Sequence, residues 1–279
     1  MDNFTLFIPM APAQNSFVLP KSPDSNVPTC DRGLPLPPPA LLLGHDSTEQ
    51  YLEYGALHVG SMRRILDQGG FRFEQGQRVL DFGCGSGRML RQLYDFTSQS
   101  EFWGVDIQAE HIFWCQRYLS PPYRFAITTT IPHLPFEDNS FDLIYSGSVF
   151  THIDDLADAW LLEIRRILRP GGFLYFTIHD NRSIELTKTT LRDHPLIGKK
   201  FLGHPKFEEY ANSDFGIFTL WRSADSQVFY DREYFVSHIG LFYEVVSVNE
   251  EAYGFQSGIL VSKKNSRRSA ELSTGDELP

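Results

Sequence analysis

Three cysteines in 279 residues, Cys30, Cys84 and Cys115, are too few for a disulfide framework. They form no C-x-x-C pair and no zinc spacing, so no metal is expected. The first 20 residues lack a positive start followed by an apolar core. With an odd cysteine count, this points to a reducing compartment, the cytoplasm. No run approaches the roughly 18 apolar residues of a membrane span. Basic charge is scarce as well, with 25 Lys+Arg against 35 Asp+Glu and a net charge of −10. A nucleic-acid partner is therefore not expected, because phosphate backbones demand a basic footprint. The one dense basic cluster, Lys263-Lys264 with Arg267-Arg268, reads as a solvated tail. A phosphate loop of the form G-x-x-x-x-G-K-S/T is missing too.

What is present is an ordinary globular composition, 42% hydrophobic and 22% charged. Nine of the 17 prolines fall within residues 1–39. Proline fixes φ and removes a donor, so residues 1–45 form an extended arm, either draped on the surface or packed over the active site. A folded domain is expected over 46–264 and a polar tail over 265–279. Asp46 with Glu49 three residues on opens a helix that Gly69-Gly70 stops. Beyond it, strands and helices alternate: Arg78–Asp81, Met89–Tyr94, Phe102–Asp106, Ala109–Leu119, Arg124–Thr128 and Phe141–Ser146. A helix opens at Ile153-Asp154-Asp155 and ends at Pro170-Gly171-Gly172, and a strand covers Phe173–Ile178. A helix over Asp231–Phe242 and strands over Tyr243–Val248 and Gln256–Val261 close the chain. This alternation predicts a doubly wound, mainly parallel α/β sheet.

The most informative stretch is Val79-Leu80-Asp81-Phe82-Gly83-Cys84-Gly85-Ser86-Gly87-Arg88. An apolar strand runs into an acid and three alternate glycines, and a helical run follows. Such a turn opens a nucleotide-sized crevice at the carboxyl ends of parallel strands. A dinucleotide fingerprint needs G-x-G-x-x-G, and Arg88 stands where its third glycine would be. Asp106 ends the next strand about 20 residues on, where a carboxylate accepts the hydroxyls of a ribose. The alternative role for Asp106 is an N-cap of the following helix.

This stretch resembles the first motif of class I S-adenosylmethionine-dependent methyltransferases. The segments Glu101–Ile107, Leu134–Tyr145 and Leu168–Leu174 resemble the family's later motifs, in family order and spacing. The resemblance implies a seven-stranded, Rossmann-like sheet with an antiparallel last strand. It implies S-adenosylmethionine as cofactor, held by Asp81, Gly83, Cys84, Gly85, Gly87, Asp106, Ile107 and Ser146. Asp81 would face the methionine ammonium, Ile107 would wall the adenine, and Ser146 with Gly147 would line the cleft near the methionine. The family often sets an acid before the Leu-Pro-Phe segment for the adenine amino group. Here Thr128-Thr129-Thr130 stands instead, so a threonine hydroxyl, a backbone group or apolar contact takes that part.

Expected partners are a small-molecule methyl acceptor, with no nucleic acid and no membrane. Oxygen is the first choice of acceptor atom, then nitrogen or carbon. Residues 180–228 are long for a connection and rich in aromatics, and read as a cover over the acceptor site. His179 and Asp180, after the fifth strand, are the first candidates for a base, and His152 is another. His152 stands just before Asp154-Asp155, which favours a structural part at the helix start. Two rival readings remain: an NAD-dependent Rossmann oxidoreductase, and a non-catalytic module that binds the same cofactor.

Overall fold

The computed structural model describes residues 4–8, 17–20, 27–30, 32–222 and 225–264. The rest of the proline-rich arm and the tail from 265 onward lie outside the described residues. Strands β1 (Phe4–Ile8) and β2 (Phe17–Pro20) pair antiparallel as a separate ribbon. Helix α1 (Thr48–Gln68) leads into β3 (Arg78–Phe82), a 3₁₀ helix over Leu90–Phe96, β4 (Glu101–Asp106), α2 (Ala109–Tyr118) and β5 (Arg124–Ile127). Strand β6 (Phe141–Ser146), α3 (Ala157–Ile167) and β7 (Leu168–Ile178) follow. The segment after β7 carries α4 (Asn181–Lys188), α5 (Gly198–Leu202), α6 (Phe207–Ala211) and the hairpin of β8 (Ile217–Leu220) and β9 (Gln227–Tyr230). Helix α7 (Arg232–Ile239) and strands β10 (Glu244–Tyr253) and β11 (Gln256–Ser262) complete the fold.

The main sheet has seven strands in the order β10-β11-β7-β6-β3-β4-β5. Strands β7, β6, β3, β4 and β5 run parallel, and β11 enters antiparallel to β7. Alternate residues of a strand face opposite sides. Val79 therefore joins Met62, Leu66, Leu90 and Ile112 on one face, while Leu80 joins Trp160, Leu161, Ile164 and Phe235 on the other. A third apolar cluster, built on Phe201, Phe207, Phe218 and Phe229, belongs to the segment after β7.

Several boundaries differ from the sequence expectation for physical reasons. Helix α1 is capped one residue later, by Ser47, whose hydroxyl accepts from the Gln50 amide at 3.2 Å. The run after the glycines winds as a 3₁₀ helix rather than an α-helix. Helix α3 starts at Ala157, not Ile153. The Tyr230 hydroxyl donates to the carbonyls of Phe150 and Ile153, and the Val228 amide donates to that of Thr151. These carbonyls are thus taken before a helix can use them. Strand β7 begins at Leu168, because Gly171 donates to the Lys263 carbonyl and Lys263 donates to that of Gly172. The turn residues are drawn into the sheet.

Candidate active site

The carboxyl ends of β3, β4, β5 and β6 surround a cleft of about 470 Å³. Strand order reverses there: β4 and β5 lie to one side of β3, and β6 and β7 to the other. A doubly wound sheet presents its ligand crevice at this kind of switch point.

The glycine loop forms one wall. Gly83, Gly85 and Gly87 have φ of +84°, +51° and +80°, which side chains with a Cβ rarely adopt. A Cβ on Gly83 would strike the Val149 side chain, and one on Gly85 would come within 2.7 Å of Leu43 Cδ1. Below the loop Asp81 is buried, and desolvation lifts its pKa to about 8 against the pull of Tyr145 and Arg88. Cys84 is buried too, and burial pushes its thiol up.

Asp106 reaches two amides at once. Oδ2 accepts from Gly85 and Oδ1 from Gln108, each at 2.8 Å. It ties the glycine loop to the end of β4 and still borders the cleft. Each carboxylate oxygen keeps a further lone pair for a ligand. Ile107 beside it is 53% exposed and offers an apolar surface to the cleft. Thr128, Thr129 and Thr130 line the cleft next to them, with the Thr128 amide donating to the Asp106 carbonyl at 3.0 Å, and the buried Thr128 hydroxyl has no partner among the described residues. Ser146 is fully buried with its hydroxyl unpartnered; Gly147 and Ser148, the next residues, line the cleft instead.

Of the positions singled out in the sequence, Gly83, Asp106, Ile107, the three threonines 128–130, Gly147 and His152 line this cleft. Asp81, Cys84, Gly85, Gly87 and Ser146 lie behind or beneath the lining. His179 and Asp180 lie elsewhere. The His179 ring is sandwiched between Phe229 and Phe255, with centroids at 5.0 and 4.9 Å, and its Nε2 donates to Gln227 Oε1 at 3.1 Å. Burial lowers its pKa to about 3, too low for a base near neutral pH. Asp180 caps α4 and pairs with Arg232 at 2.7 Å. Both residues are accounted for by packing.

A second polar group stands beside the loop, with no local signal in the sequence. Arg88 is buried, with Nη1 3.0 Å from His58 Nδ1 and Nη2 donating to the Tyr253 hydroxyl. The His58 and Tyr253 rings stack at 3.6 Å. A ring of hydrogen bonds among Ser148, Thr177 and Gln256 holds the turn after β6. These hydrogen bonds join residues from 29 to 165 positions apart and have no local signal. Leu43, from the described part of the arm, lies over Gly85, and the Ser86 hydroxyl donates to the Leu41 carbonyl.

Among the described residues, no group of three or more His, Cys, Asp or Glu is gathered as if for a metal ion. No helix among them is long and apolar enough to cross a membrane.

Residues 80–176 match the family described as a methyltransferase domain. A fatty-acid O-methyltransferase of Mycolicibacterium smegmatis is 31% identical over 123 residues, 44% of each chain. A phthiotriol/phenolphthiotriol dimycocerosates methyltransferase of Mycobacterium ulcerans is 33% identical over 102 residues, 37% of each chain. A sterol 24-C-methyltransferase of Gibberella zeae is 32% identical over 127 residues, 42% of this chain and 33% of that one. The chain thus spans less than half the length of these curated relatives. A protein of Pyrococcus horikoshii shares the fold with a TM-score of 0.51 at 19% identity, over 74% of this chain and 89% of that one. The cyclase SpnF shares it at 0.50 and 16% identity, over 74% of this chain and 80% of its own.

Proposed function

From the premise that this chain carries a class I S-adenosylmethionine-dependent methyltransferase domain, we propose that it transfers a methyl group to a small, largely apolar acceptor. The observation that carries this reading is the cleft itself, with the glycine loop, Asp106 and Ile107 at the sheet's switch point. The residues fit the cofactor. Asp106 would accept from the ribose hydroxyls, Ile107 would pack on the adenine, and the unpartnered Thr128 hydroxyl would meet an adenine polar edge. The buried Asp81, behind the loop, would face the methionine ammonium. When bound, S-adenosylmethionine supplies an electrophilic methyl group on a sulfonium.

The chain's own task is alignment and exclusion of water, which is worth roughly 7–11 kcal/mol. Val149, Ile153, Leu156 and Trp160 give the cleft an apolar side suited to an alkyl or ring-bearing acceptor. The relatives named for fatty acids, phthiotriols and sterols support an acceptor of that kind. Oxygen is the first choice of atom. Residues 180–228 cover the acceptor, with β9 lying against the rim at Thr151.

The fold does not decide the reaction, since a cyclase shares it. Binding and turnover therefore have to be tested separately. Calorimetry with S-adenosylhomocysteine is expected to show binding to the native chain and none to Gly85→Val, whose circular dichroism stays native. Binding of NADH instead, read by nicotinamide fluorescence, would overturn the proposal. Binding without formation of S-adenosylhomocysteine from S-adenosylmethionine and any apolar acceptor would reduce the chain to a binding module.

A further inference from the structure

The segment after β7 does more at the cleft than lie beside it. The Val228 amide donates to the Thr151 carbonyl at 2.8 Å, which lays β9 along the turn that carries His152. Two residues back, the Ser226 carbonyl stands 2.7 Å from His152 Nδ1. A carbonyl oxygen only accepts, so the proton is on Nδ1. The Gln227 amide nitrogen, 3.3 Å from the same atom, is a neighbour and not a partner, since both nitrogens carry hydrogen. Gln227 spends its own carbonyl oxygen on the buried His179. The His152 ring borders the cleft, and its Nε2 has no hydrogen-bond partner among the described residues. With Nδ1 protonated, Nε2 carries a lone pair.

Resting on the methyltransferase reading above, we propose that His152 is the base for acceptors that enter as hydroxyls, with the Ser226 carbonyl as its positioning group. In the step, the acceptor O–H bond breaks and its proton passes to Nε2. The oxygen's electron pair forms the bond to the methyl carbon, and the pair of the breaking carbon–sulfur bond stays on the donor sulfur. The resulting imidazolium then releases its proton to solvent. The Ser226 carbonyl stabilises that imidazolium through the Nδ1–H bond, in the manner in which an oriented acceptor serves other catalytic histidines. Two charges bear on the ring from the same segment: Lys200 on α5 disfavours the protonated form and Asp225 favours it. His179 stays neutral. Desolvation keeps His152 below the ordinary imidazole range, so the unprotonated base is the resting form at neutral pH. A carboxylic acid acceptor is already ionised there and needs no base. The acceptor class that uses this arrangement is an apolar alcohol or phenol.

The test has two arms on the full chain with S-adenosylhomocysteine or S-adenosylmethionine bound. In protein labelled with ¹⁵N and ¹³C at histidine, the His152 resonances, assigned by their loss in His152→Gln, should show the Nδ1–H tautomer. An Nε2–H tautomer overturns the proposal. In the second arm, 4-octylphenol and decanoate are offered as methyl acceptors. His152→Gln should lower kcat on the phenol by about 10²-fold or more, with KM and cofactor affinity nearly unchanged and decanoate turnover unaffected. The phenol rate of the native chain should fall at acid pH, and added imidazole should restore part of it in His152→Gly. Equal phenol rates in mutant and native chain, or native turnover of decanoate without phenol, overturn it. If the native chain methylates neither probe, the hydroxyl class is overturned. A native chain that fails to bind the cofactor would instead sink the methyltransferase reading, and the tautomer measurement stands apart from that result.

Discussion

The loop after β3 and the segment after β7 follow parallel strands of one sheet, with β6 between them, yet they are held by different forces. The loop after β3 is a backbone structure. Three glycines at positive φ shape it, and Asp106 binds it through two amide hydrogen bonds. Its surface is left for a ligand. The segment after β7 is a side-chain structure. Phe201, Phe207, Phe218 and Phe229 pack together and take His179 into the stack. The two regions meet at one turn, Phe150–Ile153, where Tyr230, Val228 and Ser226 bond to the cleft rim. The histidines show the difference. His152 at the rim keeps one nitrogen open, whereas His179 in the aromatic core is sealed. A backbone cradle tolerates many sequences outside its glycines, and an aromatic core needs each ring.

If the comparison holds, the largest effect belongs to the aromatic core. Phe229→Ala removes a fully buried ring and should destabilise the protein by about 3–5 kcal/mol. Hydrogen exchange should place that loss in residues 181–222 and leave β3 and β4 protected. Loss of protection in β3 would show that the two regions are one cooperative unit.

The next effect is on acid stability. The unfolded chain protonates His179 near 6.5, but the folded chain resists protonation down to about 3. Stability that is complete above pH 6.5 is therefore lost as pH falls through that window. His179→Phe keeps the aromatic stack and removes this proton. At pH 4 it should recover about 3 kcal/mol relative to the native chain, although His58, also lowered to about 3, still contributes to the acid slope. An unchanged acid limb in urea titrations at pH 4 and 7 would show that water reaches His179.

The smallest effect tests the cradle. Asp106→Ala should weaken S-adenosylhomocysteine binding by about 1.5–3 kcal/mol, the range for a hydrogen bond to a charged group. The aromatic core should be untouched, with native exchange in 181–222. Unchanged affinity by calorimetry would limit Asp106 to bracing the loop.

Much of the sheet was legible because its signals are local. Alternating apolar strands, the Gly83-Gly85-Gly87 spacing and the acid at 106 each express a backbone need within a few residues. The fold class and the wall formed by Gly83, Asp106 and Ile107 follow from such needs, while the strand order comes from the tertiary structure. The start of α3 was misplaced because the carbonyls of Phe150 and Ile153 are taken by Tyr230, some 80 residues away. His179 reads as a base from sequence because it follows the fifth strand, at the sheet edge where the acceptor is expected. Only the packing of Phe229 and Phe255 around it shows that the position is closed to solvent.

By itself the amino-acid sequence determined the parallel sheet, the glycine loop and the match of residues 80–176 to a methyltransferase domain, since each rests on φ, on strand periodicity or on a short spacing. Tertiary structure alone decided which histidine faces the cleft, which nitrogen of it is open, and what braces Arg88. Those outcomes depend on desolvation and on contacts between distant segments, and neither is written in any short stretch of chain.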